Sequence, residues 1–179
     1  MAIEVIKEYD IRLFDSIQKE NAILPLIDPN SKIIFLDIDG VLNSGPWIQK
    51  NSHLELDQLI DPDAVKILNQ IIHATNAKIV ISSTWRKHFS EDNNGLKRMQ
   101  EFFAKYDISP IVGRTSSLSG KQRSSEIQAW LDKNLIASFV IIDDDRDADI
   151  QDRFIKILFT VGFQEYHIKE AIDILERKI

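Results

Sequence analysis

The sequence predicts an α/β fold: a central parallel sheet flanked by helices. Three observations carry that expectation. Short unbroken apolar runs recur at Ile33–Leu36, Ile79–Ile81 and Phe139–Ile142, the pattern of strands buried on both faces of a sheet. Between them lie segments whose apolar residues return at helical spacing. Strand and helix therefore alternate, the order that builds parallel sheets.

The 179 residues suit one domain with a substantial core. Residues 1–31 read as an N-terminal extension, helical because Val5, Ile6, Tyr9, Leu13, Phe14 and Ile17 approximate one stripe. Pro25 and Pro29 mark a connector, and the domain proper is expected over 32–179. The chain has no cysteine, which excludes disulfides and thiolate metal sites and suits a reducing compartment. No apolar run approaches the ~18 residues of a membrane span. A soluble, cytoplasmic protein with no membrane partner is expected, its oligomeric state open. The net charge of −6 argues against a broad basic face that coats nucleic acid.

Taken in order, Lys32–Leu36 is the opening strand, and it ends in Asp37, Asp39 and Gly40. Asn43–Pro62 mixes glycine, proline and charged residues and reads as a loop. Asp61 and Pro62 then form a cap and first turn for a helix whose stripe is Val65, Leu68, Ile71 and Ile72. Lys78–Ile81 is the second strand and runs into Ser82, Ser83, Thr84, Trp85 and Arg86. Leu96, Met99, Phe102 and Phe103 support a helix over 91–106, and 108–113 a weak strand. A helix over 123–133 faces Ile127, Trp130 and Leu131 inward. Ser138–Ile142 is the third strong strand and ends in an aspartate cluster at 143–149. Ile155–Val161 gives one more strand. The last helix, 165–177, has Ile168, Ala171, Ile172 and Leu175 on one face.

The strong strands thus end in Asp37 and Asp39, in Ser82 and Ser83, and in Asp143 and Asp144, with Lys121 and Arg123 at the start of a helix. In an open α/β sheet, chemistry gathers at the carboxyl ends of the strands. Paired carboxylates there suggest phosphate chemistry on a metal. An EF-hand reading of the aspartate cluster fails, because Ala148 occupies the glycine position and Phe154 the terminal glutamate position. Trp85 and Trp130 read as packing residues.

These motifs resemble those of haloacid dehalogenase (HAD) superfamily hydrolases, which have a Rossmann-like fold. The matching pieces, in order, are DIDGV at 37–41, IVIS at 79–82, a cation before a helix, and IIDD at 141–144. More narrowly, FLDIDGVLN at 35–43, SSTWR at 82–86, RSSEIQAWL at 123–131 and the closing GFQEYHIKEAIDIL resemble the phosphatase domains of modular RNA-repair proteins. The segments between motifs leave no room for a substantial cap, so a capless or minimally capped member is expected.

The resemblance implies roles. Asp37 is the expected nucleophile, forming an aspartyl-phosphate. Asp39 is the expected general acid and base, Ser82 a donor to the phosphoryl oxygens, and Arg123 the motif cation, with Lys121 as its rival. Ser83, Gly40, Arg86 and Lys121 are placed against the substrate. Mg²⁺ is the implied cofactor, held by Asp37, the main-chain carbonyl of Asp39, Asp143 and Asp144, with Asp147 a rival for the second acid. The implied substrate is a phosphomonoester. An open site favours RNA or DNA 3'-phosphate ends, and nucleotides or other small phosphorylated metabolites are the alternative. Arg86, Lys87, Lys97, Arg98, Lys121 and Arg123 offer local contacts to nucleic-acid phosphates. A non-catalytic binding module is disfavoured, because every expected catalytic residue type is present.

Overall fold

The computed structural model describes residues 27–55, 58–150 and 152–179. The helical stripe read in the N-terminal extension falls within residues 1–26, outside the described residues. Among the described residues, five strands form one sheet: β1 (Lys32–Leu36), β2 (Lys78–Ile81), β3 (Ile111–Arg114), β4 (Ser138–Asp143) and β5 (Phe154–Lys156). Their order is β3-β2-β1-β4-β5, and every pairing is parallel. The helices are α1 (Gly45–Lys50), α2 (Pro62–Thr75), α3 (Asn93–Ala104), α4 (Arg123–Leu131) and α5 (Tyr166–Leu175). This is an α/β, Rossmann-like architecture, and no separate cap domain is inserted among the described residues.

Alternation along each strand sorts its side chains onto two faces. Ile34, Leu36, Ile79, Ile81, Val140 and Ile142 form one core with α2, α3 and α5. Ile33, Phe35, Val80, Phe139 and Ile141 form the other with Ile127 of α4. There Phe35 meets Trp130 and Phe139 edge-on, with ring centroids 5.3 and 5.8 Å away. A fully buried side chain of this size contributes about 1.5–3 kcal/mol, so both faces anchor the central strands and the sheet can serve as a rigid base for the site.

Caps fix the helices where the sequence places them. Asp61 accepts from Asp63 N at 2.9 Å with Pro62 in the first turn of α2. Asp92 accepts from Gly95 N at 2.7 Å to begin α3.

Several elements differ from expectation. The 43–62 segment contains α1, capped by Ser44, whose Oγ accepts from Trp47 N at 3.4 Å. Its six residues include no buried one, so no apolar stripe announces it. The last strand is Phe154–Lys156 rather than Ile155–Val161. Beyond Ile157 the chain turns, with Val161 N and Gly162 N both donating to Leu158 O, and Leu158, Phe159 and Val161 lie exposed. In α5 the buried line runs through His167, Ala171, Ile174 and Leu175. That face is rotated toward His167, leaving Ile168 and Ile172 half-buried.

The sheet order places the site. β1 is central, and the chain proceeds outward from it first through β2 and β3, then through β4 and β5. The carboxyl ends of β1 and β4 flank the point where that direction switches, the place where open α/β sheets bind ligands. Leu36 pairs with Ile142 on one side and Ile81 on the other. The pattern continues one step beyond the strands, with Asp37 N donating to Ile142 O at 3.0 Å and Ser82 N to Leu36 O at 2.9 Å. Asp37, Ser82 and Asp143 therefore emerge side by side.

Candidate active site

Asp37 and Asp143 leave the sheet with 4% and 0% exposure. One oxygen from each, with one from Asp144, lies within 4.8 Å of the others. Three acids so close, two of them buried, repel one another unless protons or cations intervene. Burial is the main reason the Asp37 carboxyl is pushed up from an ordinary 3.8 to about 6, against the pull of the Arg123 charge and a Ser83 hydrogen bond. Burial followed by the charge of Asp37 pushes Asp143 up to about 8. Asp143 Oδ1 accepts from Asp145 N at 2.8 Å, whereas its buried Oδ2 has no hydrogen-bond partner. An unsatisfied buried carboxylate oxygen within an all-oxygen cluster fits a hard divalent cation such as Mg²⁺.

Arg123, the first residue of α4, reaches into this cluster. Its Nη1 donates to Asp37 Oδ1 at 2.7 Å and to Ser82 O, and lies 3.4 Å from Asp143 Oδ2. Burial works against the guanidinium charge, but Asp37 and Asp143 outweigh it and hold its pKa above the usual arginine value. Lys121 is exposed and forms no ion pair among the described residues, so Arg123 is the cation that the structure brings to the acids. Asp147 stands apart from the three-acid cluster. Its Oδ2 accepts from Arg123 N at 3.3 Å, which ties the start of α4 to the 3₁₀ turn Arg146–Ala148.

Asp39 is exposed beside the buried Asp37. Its Oδ1 accepts from Asn43 Nδ2 at 2.8 Å and Trp85 Nε1 at 2.9 Å. Between these acids and the helix, Gly40 has φ +80°, and a Cβ there would lie 2.2 Å from Asp144 Oδ2. The loop thus needs glycine twice, for its left-handed backbone and for the space that the Asp144 carboxylate fills.

Ser82 is 1% exposed, and its Oγ has no hydrogen-bond partner. Ser83, fully buried, caps the 3₁₀ turn Thr84–His88 by accepting from Trp85 N at 3.4 Å. Arg86, which the sequence places against the substrate, is buried. Its Nη1 donates to Ser83 O at 2.8 Å and its Nη2 to Glu126 Oε2 at 2.5 Å. Glu126 Oε1 in turn accepts from Leu118 N at 2.9 Å. This buried pair joins the end of β2 to α4 one turn beyond Arg123.

Sequence reasoning missed Asn43, Glu126 and the indole N–H of Trp85 as site components. The signal available for Asn43 was its place in DIDGVLN, and for Trp85 its place in SSTWR.

The pattern that defines the HAD domain in Swiss Army Knife RNA repair proteins matches residues 33–168. That span runs from β1 into α5 and includes every acid, serine and arginine described above. No curated protein and no solved structure matches the chain.

Proposed function

Because the chain belongs to the family of HAD domains in Swiss Army Knife RNA repair proteins, and so to the HAD-type hydrolases, we propose that it is a Mg²⁺-dependent phosphomonoesterase acting on nucleic-acid 3'-phosphate ends. The observation that carries this reading is the convergence of Asp37, Asp143 and Asp144 within 4.8 Å, with Arg123 bonded to the first of them. Asp37, Asp143 and Asp144, with the main-chain carbonyl of Asp39, would hold Mg²⁺, whose charge offsets that of the acids and of the phosphoryl oxygens.

The chain's own groups then divide the chemistry. An oxygen of Asp37 attacks phosphorus, the bond from phosphorus to the ester oxygen breaks, and Asp39 gives that oxygen a proton. Water next attacks the aspartyl-phosphate, Asp39 takes a proton from it, and release of phosphate regenerates the Asp37 carboxylate. Ser82 Oγ, buried without a partner, is free to donate to a phosphoryl oxygen. Arg123 supplies fixed positive charge where the phosphoryl group gathers negative charge. Both are oriented before substrate arrives, so little reorganisation accompanies the reaction.

The test compares kcat/KM for a 3'-phosphorylated oligonucleotide, free nucleotides and sugar phosphates, with Mg²⁺ and with EDTA. Hydrolysis should require the metal and favour the oligonucleotide. Asp37→Asn should lower kcat by about 10³-fold or more. A variant with unchanged rate would remove Asp37 as nucleophile, and equal kcat/KM on nucleotides would replace the end-repair reading with a small-metabolite phosphatase.

A further inference from the structure

At Asp39 one carboxylate oxygen takes two side-chain hydrogen bonds and the other takes none. Two donors converge on Oδ1, from Asn43 at 2.8 Å and Trp85 at 2.9 Å. Among the described residues Oδ2 receives none. A carboxylate oxygen has two lone-pair directions in its plane, and at Oδ1 both are taken. A proton placed there would have to displace a donor, so the proton belongs on Oδ2.

The two donors are themselves fixed. Asn43 is fully buried, and its Oδ1 accepts from Gly40 N at 2.8 Å, which leaves its amide nitrogen facing Asp39. Trp85 is 5% exposed, its ring 6.1 Å from Phe102 and 6.2 Å from Phe103. A buried indole N–H requires an acceptor, and a nearby carbonyl would meet that need. The acceptor here is instead the acid two residues beyond Asp37, reached across 46 positions of sequence.

We propose that Trp85 and Asn43 are positioning residues that lock the Asp39 carboxyl, with Oδ1 as a permanent acceptor and Oδ2 as the oxygen that moves the proton. The inference rests on the phosphatase reading above. In the first half-reaction the Oδ2–H bond breaks as the ester oxygen leaves phosphorus and takes the proton. In the second, a proton of the attacking water returns to Oδ2. Neither donor touches the reacting atoms; each acts through Asp39.

The leaving group separates this role from a merely structural one. An alkyl phosphate expels a strongly basic alkoxide and needs the proton, whereas p-nitrophenyl phosphate expels a weakly basic phenolate and needs it far less. Trp85→Phe keeps an aromatic ring and deletes the N–H. Asn43→Ser shortens the side chain away from Asp39 and keeps a hydroxyl that can accept from Gly40 N, leaving the packing of Trp85 intact. Trp85→Phe should lower kcat/KM, which reports only the first half-reaction, on the alkyl phosphate by about tenfold or more, and should lose much less on the aryl phosphate. Asn43→Ser should show the same selectivity, and it carries the test if Trp85→Phe does not fold. Phe102→Leu, which loosens the same ring packing and retains the N–H, should show no selectivity. With an active wild type, equal losses on both substrates, or the same selectivity in Phe102→Leu, overturn the lock and leave the phosphatase reading standing. A wild type inactive on both substrates overturns the phosphatase reading and this inference with it.

Discussion

Asp143 is fully buried with one unsatisfied oxygen, and the consequence is a pH dependence of unusual sign. Its folded-state pKa, about 8, lies above the ordinary 3.8. Between those values the unfolded chain gives up a proton that the folded chain keeps, so metal-free stability falls as pH rises through the window. Asp37, raised to about 6, adds to the loss over the lower part of that range. Thermal unfolding in EDTA should therefore show a lower midpoint at pH 8 than at pH 5. Asp143→Asn should flatten the dependence and exceed the wild type at pH 8, each kcal/mol of difference moving the midpoint by about 2–4 °C. Added Mg²⁺ should reverse the trend in the wild type, because a cation takes the place of the protons and binds better as they leave. A metal-free midpoint that climbs from pH 5 to pH 8 would contradict the arrangement. At this scale the sequence revealed which residue types stand at the strand ends but not their partners. Asp37 and Asp143 were readable because each follows an apolar run. Trp85 looked like packing because an indole bonding an acid 46 residues away leaves no local pattern.

Elements were legible in proportion to the apolar surface they bury. β1, β2 and β4 declare themselves through unbroken apolar runs, and α2 through its stripe and its Asp61–Pro62 start. α1 buries nothing and so left no trace. The segment after Ile157 misled for the opposite reason. Leu158, Phe159 and Val161 are apolar, but Gly162, with φ +80°, closes a turn that holds them in solvent. The join between β2 and α4 was hidden as well, since Arg86 and Glu126 lie 40 positions apart. Both are almost fully buried, so removing one leaves an uncompensated charge. Arg86→Met should cost about 3–5 kcal/mol in denaturant unfolding, and Arg86→Met/Glu126→Leu should recover most of it. If the double variant is no more stable than the single one, the pair is not what makes Arg86 costly to lose. Because Glu126 sits one turn from Arg123, both variants should also lower kcat.

For the whole molecule, fold class followed from the alternation of strands and helices, while strand order did not. Nothing local in β3 or β5 states that each lies at an edge; that follows from how α2, α3 and α5 share one face while α4 covers part of the other. No helix among the described residues is long and apolar enough to cross a membrane. The absence of an inserted cap among those residues also bears on kinetics. Many hydrolases spend part of each turnover opening and closing a lid, and such a motion can limit the rate. Among the described residues, no inserted cap stands in the path of a departing product. At saturating substrate, kcat should be insensitive to added sucrose or glycerol at constant pH and metal, whereas a rate that fell in proportion to viscosity would show that product release or a moving part limits turnover. With no cap inserted among the described residues, shielding of the reacting phosphate would fall to the substrate itself, and on the proposed nucleic-acid substrate a longer strand should raise kcat as well as tighten binding.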